Sequence, residues 1–261
     1  MLPLVRTLRP RAVATLTALS LVAAVPVAAQ EKGEGPATLF LSYKCPPASR
    51  AAFRAHMAGA GVAQFEKWKQ EGKYKDYIVL FAAYVNTREL DMLVRLDFEK
   101  YVDTSNWRTV ERTAPGGLSP EALALCSPVS SDLADLWLAS PAVAAGPRGA
   151  FLVVPYQMEV GKGDYKKYVE GYVKPQMDGW VEQKVLAGWS MYLNHHTAGG
   201  PWDSLLLLEY AGTAGLAQRE LVKDGVRRRL AQEPAWKALS DSKQNVRSEG
   251  QVVVAEPLAR P

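Results

Sequence analysis

The chain has 261 residues and carries 31 Lys and Arg against 27 Asp and Glu, a formal net charge of +4. Three of the cations, Arg6, Arg9 and Arg11, lie in the first 29 residues, which contain no acidic residue and leave 28 against 27 in the rest. A chain so close to neutrality gives no electrostatic reason to expect binding to nucleic acid or to anionic lipid.

Residues 1–29 have the pattern of a cleaved signal peptide. The three arginines precede an uncharged apolar run, Ala12–Val25, and the small residues Val27, Ala28 and Ala29 supply a cleavage site before Gln30. An uncleaved membrane anchor is the alternative, but the run is shorter than the roughly 20 residues that a span needs. We therefore expect an exported protein, periplasmic or secreted, with no membrane span in the mature chain.

The rest of the chain contains an internal repeat. When the sequence is shifted by 112 positions, Ala37–Phe98 aligns without a gap with Gly149–Tyr210. The identical pairs in this register include Gln64 and Gln176, Trp68 and Trp180, Asp91 and Asp203, Leu93 and Leu205, and Leu96 and Leu208. The repeat predicts two tandem units, residues 37–140 and 149–258, joined by a linker at 141–148.

The first unit is predicted to run strand, helix, strand, strand, helical stretch, strand. Apolar runs bounded by turn residues predict its strands at Thr38–Lys44, Asp76–Tyr84, Asp91–Phe98 and Ala134–Ser140. Apolar residues at three- and four-residue spacing predict an amphipathic helix at Ala51–Gln70, and shorter helical segments follow at Glu99–Arg112 and Pro120–Leu125.

The second unit repeats this order. Its strands are predicted at Ala150–Gln157, Gly188–His196, Asp203–Tyr210 and Gln251–Glu256. Its helices are predicted at Asp164–Gln183, Gly215–Gln232 and Pro234–Lys243. Pro175 should interrupt the first of these helices near Val173 and Lys174, because proline cannot donate the backbone hydrogen bond that a helix interior requires.

The order strand, helix, strand, strand, helix, strand is that of the ferredoxin-like fold. Two such units in one chain resemble the dimeric α/β-barrel superfamily, which includes chlorite dismutases, related haem-binding proteins and antibiotic-biosynthesis monooxygenases. The resemblance implies an α+β fold of two tandem ferredoxin-like units whose antiparallel sheets pack face to face. It rests on the element order and the repeat, and no family motif assigns a role to a residue of this chain.

The two cysteines, Cys45 and Cys126, are predicted to form a disulfide. In the ferredoxin-like order the first and fourth strands are antiparallel neighbours, Cys45 ends the first strand, and Cys126 lies just before the fourth. Two separate buried thiols are the alternative. The spacing suits no structural zinc site, which takes four ligands in close pairs.

Polar positions on the inner strand faces predict a ligand pocket between the two units. Alternation along the strands directs every second residue to the same face. The candidate ligand-binding residues are Lys44, Tyr84, Arg95 and Asp97 in the first unit, and Tyr156, Tyr192, Asn194, His196 and Glu209 in the second. A few polar groups on an apolar wall are typical of a small-molecule site.

Other roles for these residues remain open. Asp97 and Glu209 pair with Arg95 and Lys44 if the charges are purely structural, because buried charges need partners. His196 and Glu209 are the tentative catalytic pair, with the imidazole as a general base. His195 and His196 point to opposite faces and cannot chelate one ion together. We therefore predict no metal site, and haem ligated by His196 is the alternative cofactor.

The function predicted from these observations is binding of a small apolar or aromatic molecule between the two units of an exported protein. The alternatives are a cofactor-free monooxygenase-like or haem-dependent enzyme, and a structural or assembly module whose inner faces leave no cavity. No hydrolase, nucleotide-binding or zinc-protease motif is present in the sequence. The fused repeat favours a monomer over a homo-oligomer.

Overall fold

The computed structural model describes residues 35–85, 90–141 and 149–259. The predicted signal peptide at 1–29 and most of the predicted linker at 141–148 lie outside the described residues. Within the described ranges, no helix combines the length and the apolar character that a membrane span requires.

The described residues contain nine strands. They are β1 Ala37–Lys44, β2 Asp76–Ala82, β3 Met92–Phe98, β4 Ser127–Ala139, β5 Ala150–Met158, β6 Leu186–Asn194, β7 Ser204–Tyr210, β8 Arg247–Glu249 and β9 Val253–Ala259. The α-helices are α1 Arg50–His56, α2 Val62–Gln70, α3 Thr104–Glu111, α4 Pro120–Leu123, α5 Lys162–Tyr168, α6 Lys174–Glu182, α7 Gly212–Ala217, α8 Arg219–Leu230 and α9 Pro234–Ser242.

The predicted pair of open sheets packed face to face is wrong, because eight of the strands close into one antiparallel barrel. Around the barrel the order is β1, β3, β2, β9, β5, β7, β6, β4, and β4 pairs with β1 to complete the ring. The short strand β8 pairs with β5 outside the ring. The barrel therefore has no open sheet edge among its eight strands.

Two strands, β4 and β9, join the halves. The first part of β4 pairs with β1 of its own half, and its continuation from Ala134 to Ala139 pairs with β6 of the other half. In the same way β9 pairs with β5 over Val253–Ala255 and with β2 from Ala255 onward. The order of elements within one repeat does not show which strands pair between the repeats. The fold predicted from the sequence therefore had two open sheets.

The first helix of each half is interrupted by a π-helical turn at the same place in the repeat. The turns are Met57–Gly61 and Val169–Val173, which are 112 positions apart. In the second half Pro175 follows in the first turn of α6, where its missing N–H costs least. The predicted interruption near Val173 is therefore present, and the first half has an equivalent one without proline.

The buried side chains form three clusters. One fills the inside of the barrel, with Phe40, Tyr192 and Leu207 among its members. The other two lie between the outer face of the barrel and the helices, one in each half. Both outer clusters contain several aromatic residues, including Phe65 and Trp107 in the first half and Tyr172 in the second.

The predicted disulfide between Cys45 and Cys126 is confirmed. The bond joins the residue after β1 to the residue before β4, with the two Cα atoms 4.3 Å apart. Both cysteines are buried. The disulfide therefore ties the end of β1 to the start of β4 at one end of the barrel.

Candidate functional site

One end of the barrel opens into a cavity of about 620 Å³. It lies where β1 and β5 end and where β3, β4, β7 and β9 begin, with the connection between β6 and β7 beside it. The apolar side chains that line it are Leu90, Leu93, Val129, Val153, Pro155, Trp202, Leu205 and Val253. We call this space the barrel-mouth cavity.

Aromatic rings fill the barrel beneath the cavity. The ring of Phe40 meets that of Tyr192 edge to face at 4.8 Å between centroids, and that of Trp202 at 5.7 Å. Edge-to-face contacts of this kind add to the stability gained from burial alone. Side chains fill the middle of the barrel, as expected of a structural module. The mouth of the barrel above Phe40 is open.

The connection between β6 and β7 forms one wall of the cavity and is held in place by Asn194. The Asn194 side chain donates from Nδ2 to the carbonyl of Trp202 at 3.0 Å and accepts from the backbone N–H of His196 at 2.9 Å. Gln157 donates to the carbonyl of Pro201 at 3.0 Å. Asn194 is thus buried and structural, and it positions His196 and Trp202 at the cavity.

Asp132 and His196 both belong to the lining of the cavity. The antiparallel register pairs Ala134 with Asn194, and the His195 N–H donates to the Leu133 carbonyl at 2.9 Å, which continues the pairing by one residue. Asp132 and His196 lie beyond this paired stretch, and both line the cavity. Burial raises the pKa of Asp132, while hydrogen bonds from Ser130 and Asn194 oppose that rise.

Lys44 also lines the cavity, and its ammonium group is neutralised. Its Nζ atom lies 3.2 Å from a carboxylate oxygen of Asp91, whose side chain is only 2% exposed. Asp91 also accepts from the Nε atom of Arg50 at 2.9 Å and from the backbone N–H of Cys45 at 2.9 Å. The end of β1 and the start of β3 are therefore joined by a buried charge network at the cavity edge.

Four predicted site residues lie inside the barrel away from this cavity. Arg95 binds Asp97 at 2.8 Å and donates to the Tyr192 hydroxyl at 3.2 Å. Burial raises the pKa of Asp97, opposed by the nearby Arg95 guanidinium, and burial also raises the pKa of Tyr192. Glu209 is buried at the opposite end of β7 from Ser204.

His196 and Glu209 do not form the predicted catalytic pair. Glu209 pairs with Phe151 and Gly188, whereas His196 lies beyond the other end of β6. Glu209 lies five residue steps along β7 from Ser204, which corresponds to roughly 16 Å along the strand. The acidic residue that lines the cavity together with His196 is Asp132.

Two further predictions of inward-facing residues are wrong. Tyr156 is buried in the outer cluster of the second half, where the Arg247 guanidinium lies 3.7 Å from the centre of its ring. Its neighbour Pro155 lines the cavity instead, because adjacent strand residues face opposite ways. Tyr84 lies beyond the end of β2 and is 73% exposed.

Ser130 and Asp132 were missed because the fourth strand was predicted to begin at Ala134. In the structure β4 begins at Ser127, and Ser130 and Asp132 both line the cavity. The polar run Ser130, Ser131, Asp132 hid the strand from a search for apolar residues. The available signal for an earlier start of this strand was the polar residue Asp132 directly before the apolar residues Leu133 and Ala134.

The histidines do not form a metal or haem site. His56 lies 3.4 Å from Ser119, and His195 lies 2.6 Å from Asp135 and stacks on Tyr101. Over the described ranges no three His, Cys, Asp or Glu side chains are grouped to hold a metal ion. Haem needs an axial ligand in an enclosed slot. Of the three imidazoles only that of His196 faces the cavity, from an exposed loop, so the residues present do not fit a haem.

The sequence matches no protein-family model, and no curated protein matches it significantly. Solved structures do match. A candidate monooxygenase from Fusobacterium nucleatum has a TM-score of 0.52 and 10% identity, over 86% of this chain and 93% of its own. A candidate monooxygenase from Lactobacillus acidophilus has a TM-score of 0.50 and 11% identity, over 87% and 95%.

A chlorite dismutase from Candidatus Nitrospira defluvii has 11% identity over 86% of this chain and 91% of its own. Its TM-score is 0.48. At such identities the two candidate monooxygenases establish a shared fold alone. The chain therefore shares the barrel fold of these proteins, built here from two halves of one polypeptide.

Proposed function

We propose that this protein binds a small, mostly apolar molecule in the barrel-mouth cavity. The observation that carries the proposal is the cavity itself, about 620 Å³ with apolar walls and a few polar side chains, within the size range of small-molecule sites. The polar side chains include Ser42 on β1, Ser130 and Asp132 on β4, and His196 on the β6–β7 connection.

The architecture supports this proposal. The interior of an eight-stranded barrel is just wide enough to be filled by side chains or to hold one small ligand. In this barrel large rings fill the middle, whereas small residues such as Ser42, Ser130 and Val153 face the mouth. The small inward side chains at this end of the barrel therefore leave room for a ligand.

The proposal is tested with N-phenyl-1-naphthylamine, a neutral probe whose fluorescence rises in apolar surroundings. We expect saturable binding to the wild-type protein and at least a tenfold loss of affinity in Val153→Phe, which places a ring in the cavity. Val102→Phe is the matched control, because Val102 is 58% exposed and distant from the cavity lining. Equal affinity of all three proteins for the probe would show that the barrel mouth is not the binding site.

A second candidate function is oxidation of the bound molecule by O₂. Asp132 and His196 favour it, because a carboxylate and an imidazole that line one cavity are suited to proton transfer. The proteins with the same fold include candidate monooxygenases. A base that removes a proton from an electron-rich substrate creates an anion that O₂ can oxidise.

The balanced reaction needs no added reductant. Oxidation of 1-naphthol to 1,4-naphthoquinone consumes one O₂ and releases one water, with both electron pairs coming from the substrate. The test is oxygen uptake by the protein with 1-naphthol as substrate, compared with His196→Ala and Asp132→Asn. Binding without oxygen uptake above the protein-free rate would leave ligand binding as the function and remove oxidation of phenols.

A further inference from the structure

Resting on the proposed binding function, we infer that the ligand of the barrel-mouth cavity is cationic, with an ammonium group on an apolar or aromatic body that neutralises the Asp132 carboxylate. Among the described side chains that line the cavity, Asp132 is the only acidic one. The class of ligand follows from the depth of this carboxylate, from its partners, and from the position of the cations on the neighbouring strands.

Asp132 lies at the level of the cavity floor. It pairs across the sheet with Phe40, whose ring belongs to the aromatic layer, whereas Ser130 pairs with Ser42 one step nearer the rim. Alternate residues of a strand are roughly 6.6 Å apart. The Asp132 side chain is accordingly only partly exposed, and a ligand that reaches it places its apolar body against the apolar walls above the floor.

The partners of Asp132 are uncharged. Ser130 donates to its carboxylate from Oγ at 2.7 Å, and Asn194 also hydrogen bonds to it. Burial raises the pKa of Asp132, and the groups that oppose this rise are these two neutral side chains. Among the described residues no cation forms an ion pair with Asp132. A partly buried carboxylate of this kind favours a cationic partner, because charges removed from water are costly unless they are paired.

Two cations lie on the neighbouring strands, and each has a partner of its own. Arg95 pairs with Phe40 on the side away from Asp132, and its guanidinium forms an ion pair within β3. Lys44 lies four residues beyond Phe40 on β1, roughly 13 Å along the strand, and its Nζ atom is 3.2 Å from Asp91. Neither cation is therefore the counter-charge of Asp132, and that place is left to the ligand.

An ammonium group suits this carboxylate better than other polar groups. A carboxylate has about four lone-pair sites, of which Ser130 and Asn194 occupy two, and an ammonium brings three donors together with a positive charge. Ser42, which also lines the cavity, offers a hydroxyl oxygen to a remaining donor. A hydroxyl can donate to Asp132 but leaves its charge uncompensated, so alcohols and phenols should bind more weakly at the same place. A carboxylate ligand is repelled by Asp132.

The test compares three probes that share one ring system and have polar groups of similar size: 1-naphthylmethylamine, 1-naphthalenemethanol and 1-naphthoate. Each is titrated into the wild-type protein by calorimetry at neutral pH. We expect 1-naphthylmethylamine to bind about tenfold or more tightly than 1-naphthalenemethanol, because a hydrogen bond between charged groups exceeds a neutral one by about that factor. We expect 1-naphthoate to bind most weakly.

The variants assign the preference to Asp132. Asp132→Asn keeps the shape of the side chain and removes its charge, so it should lose the preference for 1-naphthylmethylamine and keep most of its affinity for 1-naphthalenemethanol. Asp241→Asn is the matched control and should keep the preference, since Asp241 is exposed and lies outside the cavity lining. Val153→Phe should weaken binding of the amine, because Val153 lines the same cavity.

Three results would overturn the inference in distinguishable ways. Equal or tighter binding of 1-naphthalenemethanol by the wild-type protein would refute the cationic class and leave the binding function standing. A preference for the amine that persists in Asp132→Asn would refute Asp132 as the counter-charge. Absence of binding by all three probes and by N-phenyl-1-naphthylamine would refute the binding function itself. Asp132→Ala serves as a second variant if Asp132→Asn fails to fold, and the order of the three affinities in the wild-type protein tests the class without any variant.

Discussion

Arg95 on β3 and Tyr192 on β6 come from different halves of the chain and meet inside the barrel. The Nη1 atom of Arg95 donates to the Tyr192 hydroxyl at 3.2 Å, while Nη2 binds Asp97 at 2.8 Å. Tyr192 also supports the aromatic floor through its edge contact with Phe40. The contact is therefore both a polar link between the halves and part of the cavity floor.

Replacement of Tyr192 by Phe should lower the free energy of unfolding by about 1–2 kcal/mol, because a buried Arg95 donor loses its partner. The ring contact with Phe40 is kept, so binding of N-phenyl-1-naphthylamine should change less than twofold. Denaturant unfolding of Tyr192→Phe, Arg95→Met and the double variant measures the coupling. Strictly additive losses would show that the hydrogen bond contributes nothing.

Asp91 and Asp203 occupy equivalent positions in the repeat and play related roles with different partners. Each accepts from a backbone N–H at the end of the first strand of its half, Asp91 from Cys45 at 2.9 Å and Asp203 from Met158 at 2.7 Å. Only Asp91 also binds two cations, Lys44 and Arg50.

Asp91→Ala should therefore be the more destabilising change. Removal of one partner from a buried charge network costs about 3–5 kcal/mol, whereas the loss of one backbone hydrogen bond at Asp203 costs about 1–3 kcal/mol. Thermal or denaturant unfolding of the two single variants gives the comparison directly. Equal losses would mean that the cations beside Asp91 are solvated well enough to need no partner.

The disulfide is expected to stabilise both the fold and one wall of the cavity. Cys45 and Cys126 are 81 residues apart, and closure of a loop of this length contributes about 4 kcal/mol by restricting the unfolded chain. The bond also joins the end of β1 to the start of β4, the two segments that carry the cavity-lining residues Lys44 and Val129.

The double variant Cys45→Ser, Cys126→Ser should lower the free energy of unfolding by about that amount and weaken probe binding severalfold. Unfolding of the wild-type protein with and without reductant provides an independent measurement, since Cys45 and Cys126 are the only cysteines of the chain. A variant that unfolds at the wild-type denaturant concentration would contradict the expected contribution.

Ligand binding should weaken at acidic pH. Burial raises the pKa of Asp132 above its ordinary value, and only the ionised carboxylate offers full acceptor capacity to a ligand hydroxyl. As the pH falls through this raised pKa, the affinity for 1-naphthol should decrease. Lys44 and His196 face the same cavity, Ser130 and Asn194 contact the carboxylate, and all four are retained in Asp132→Asn. The affinity of that variant for 1-naphthol should therefore lack the pH dependence that comes from ionisation of Asp132.

The free energy of unfolding should depend on the ionisation of Asp132 in the opposite sense. A carboxyl group whose pKa is raised on folding contributes stability below its unfolded pKa, and that stability is lost as the pH rises through the folded pKa. Asp132→Asn should consequently be at least as stable as the wild-type protein at neutral pH. A loss of stability at neutral pH in this variant would show that hydrogen bonding to the carboxylate outweighs its burial.

The sequence predicted the elements of each half well, because those elements depend on local patterns. The apolar alternation of Met92, Val94 and Leu96 identified the outward face of β3, and its inward face contains Leu93, Arg95 and Asp97 as expected. The Cys45–Cys126 bond followed from the neighbouring positions of the first and fourth strands.

Closure of the barrel could not be predicted in this way, because it depends on which strand of one half meets which strand of the other. β4 and β9 extend beyond their own halves to make those contacts. The errors at the site have similar causes. Tyr156 was assigned to the wrong face of β5, where Pro155 breaks the polar and apolar alternation. His196 was paired with Glu209 because the sequence does not show that they lie at opposite ends of β7.

The most direct measurement is a crystal structure of the protein grown with 1-naphthol. We predict one ring system in the barrel mouth against Leu93, Val153 and Leu205, with its hydroxyl within hydrogen-bonding distance of Asp132. Electron density for the ligand anywhere else, or a barrel mouth closed by the protein's own side chains, would contradict the account.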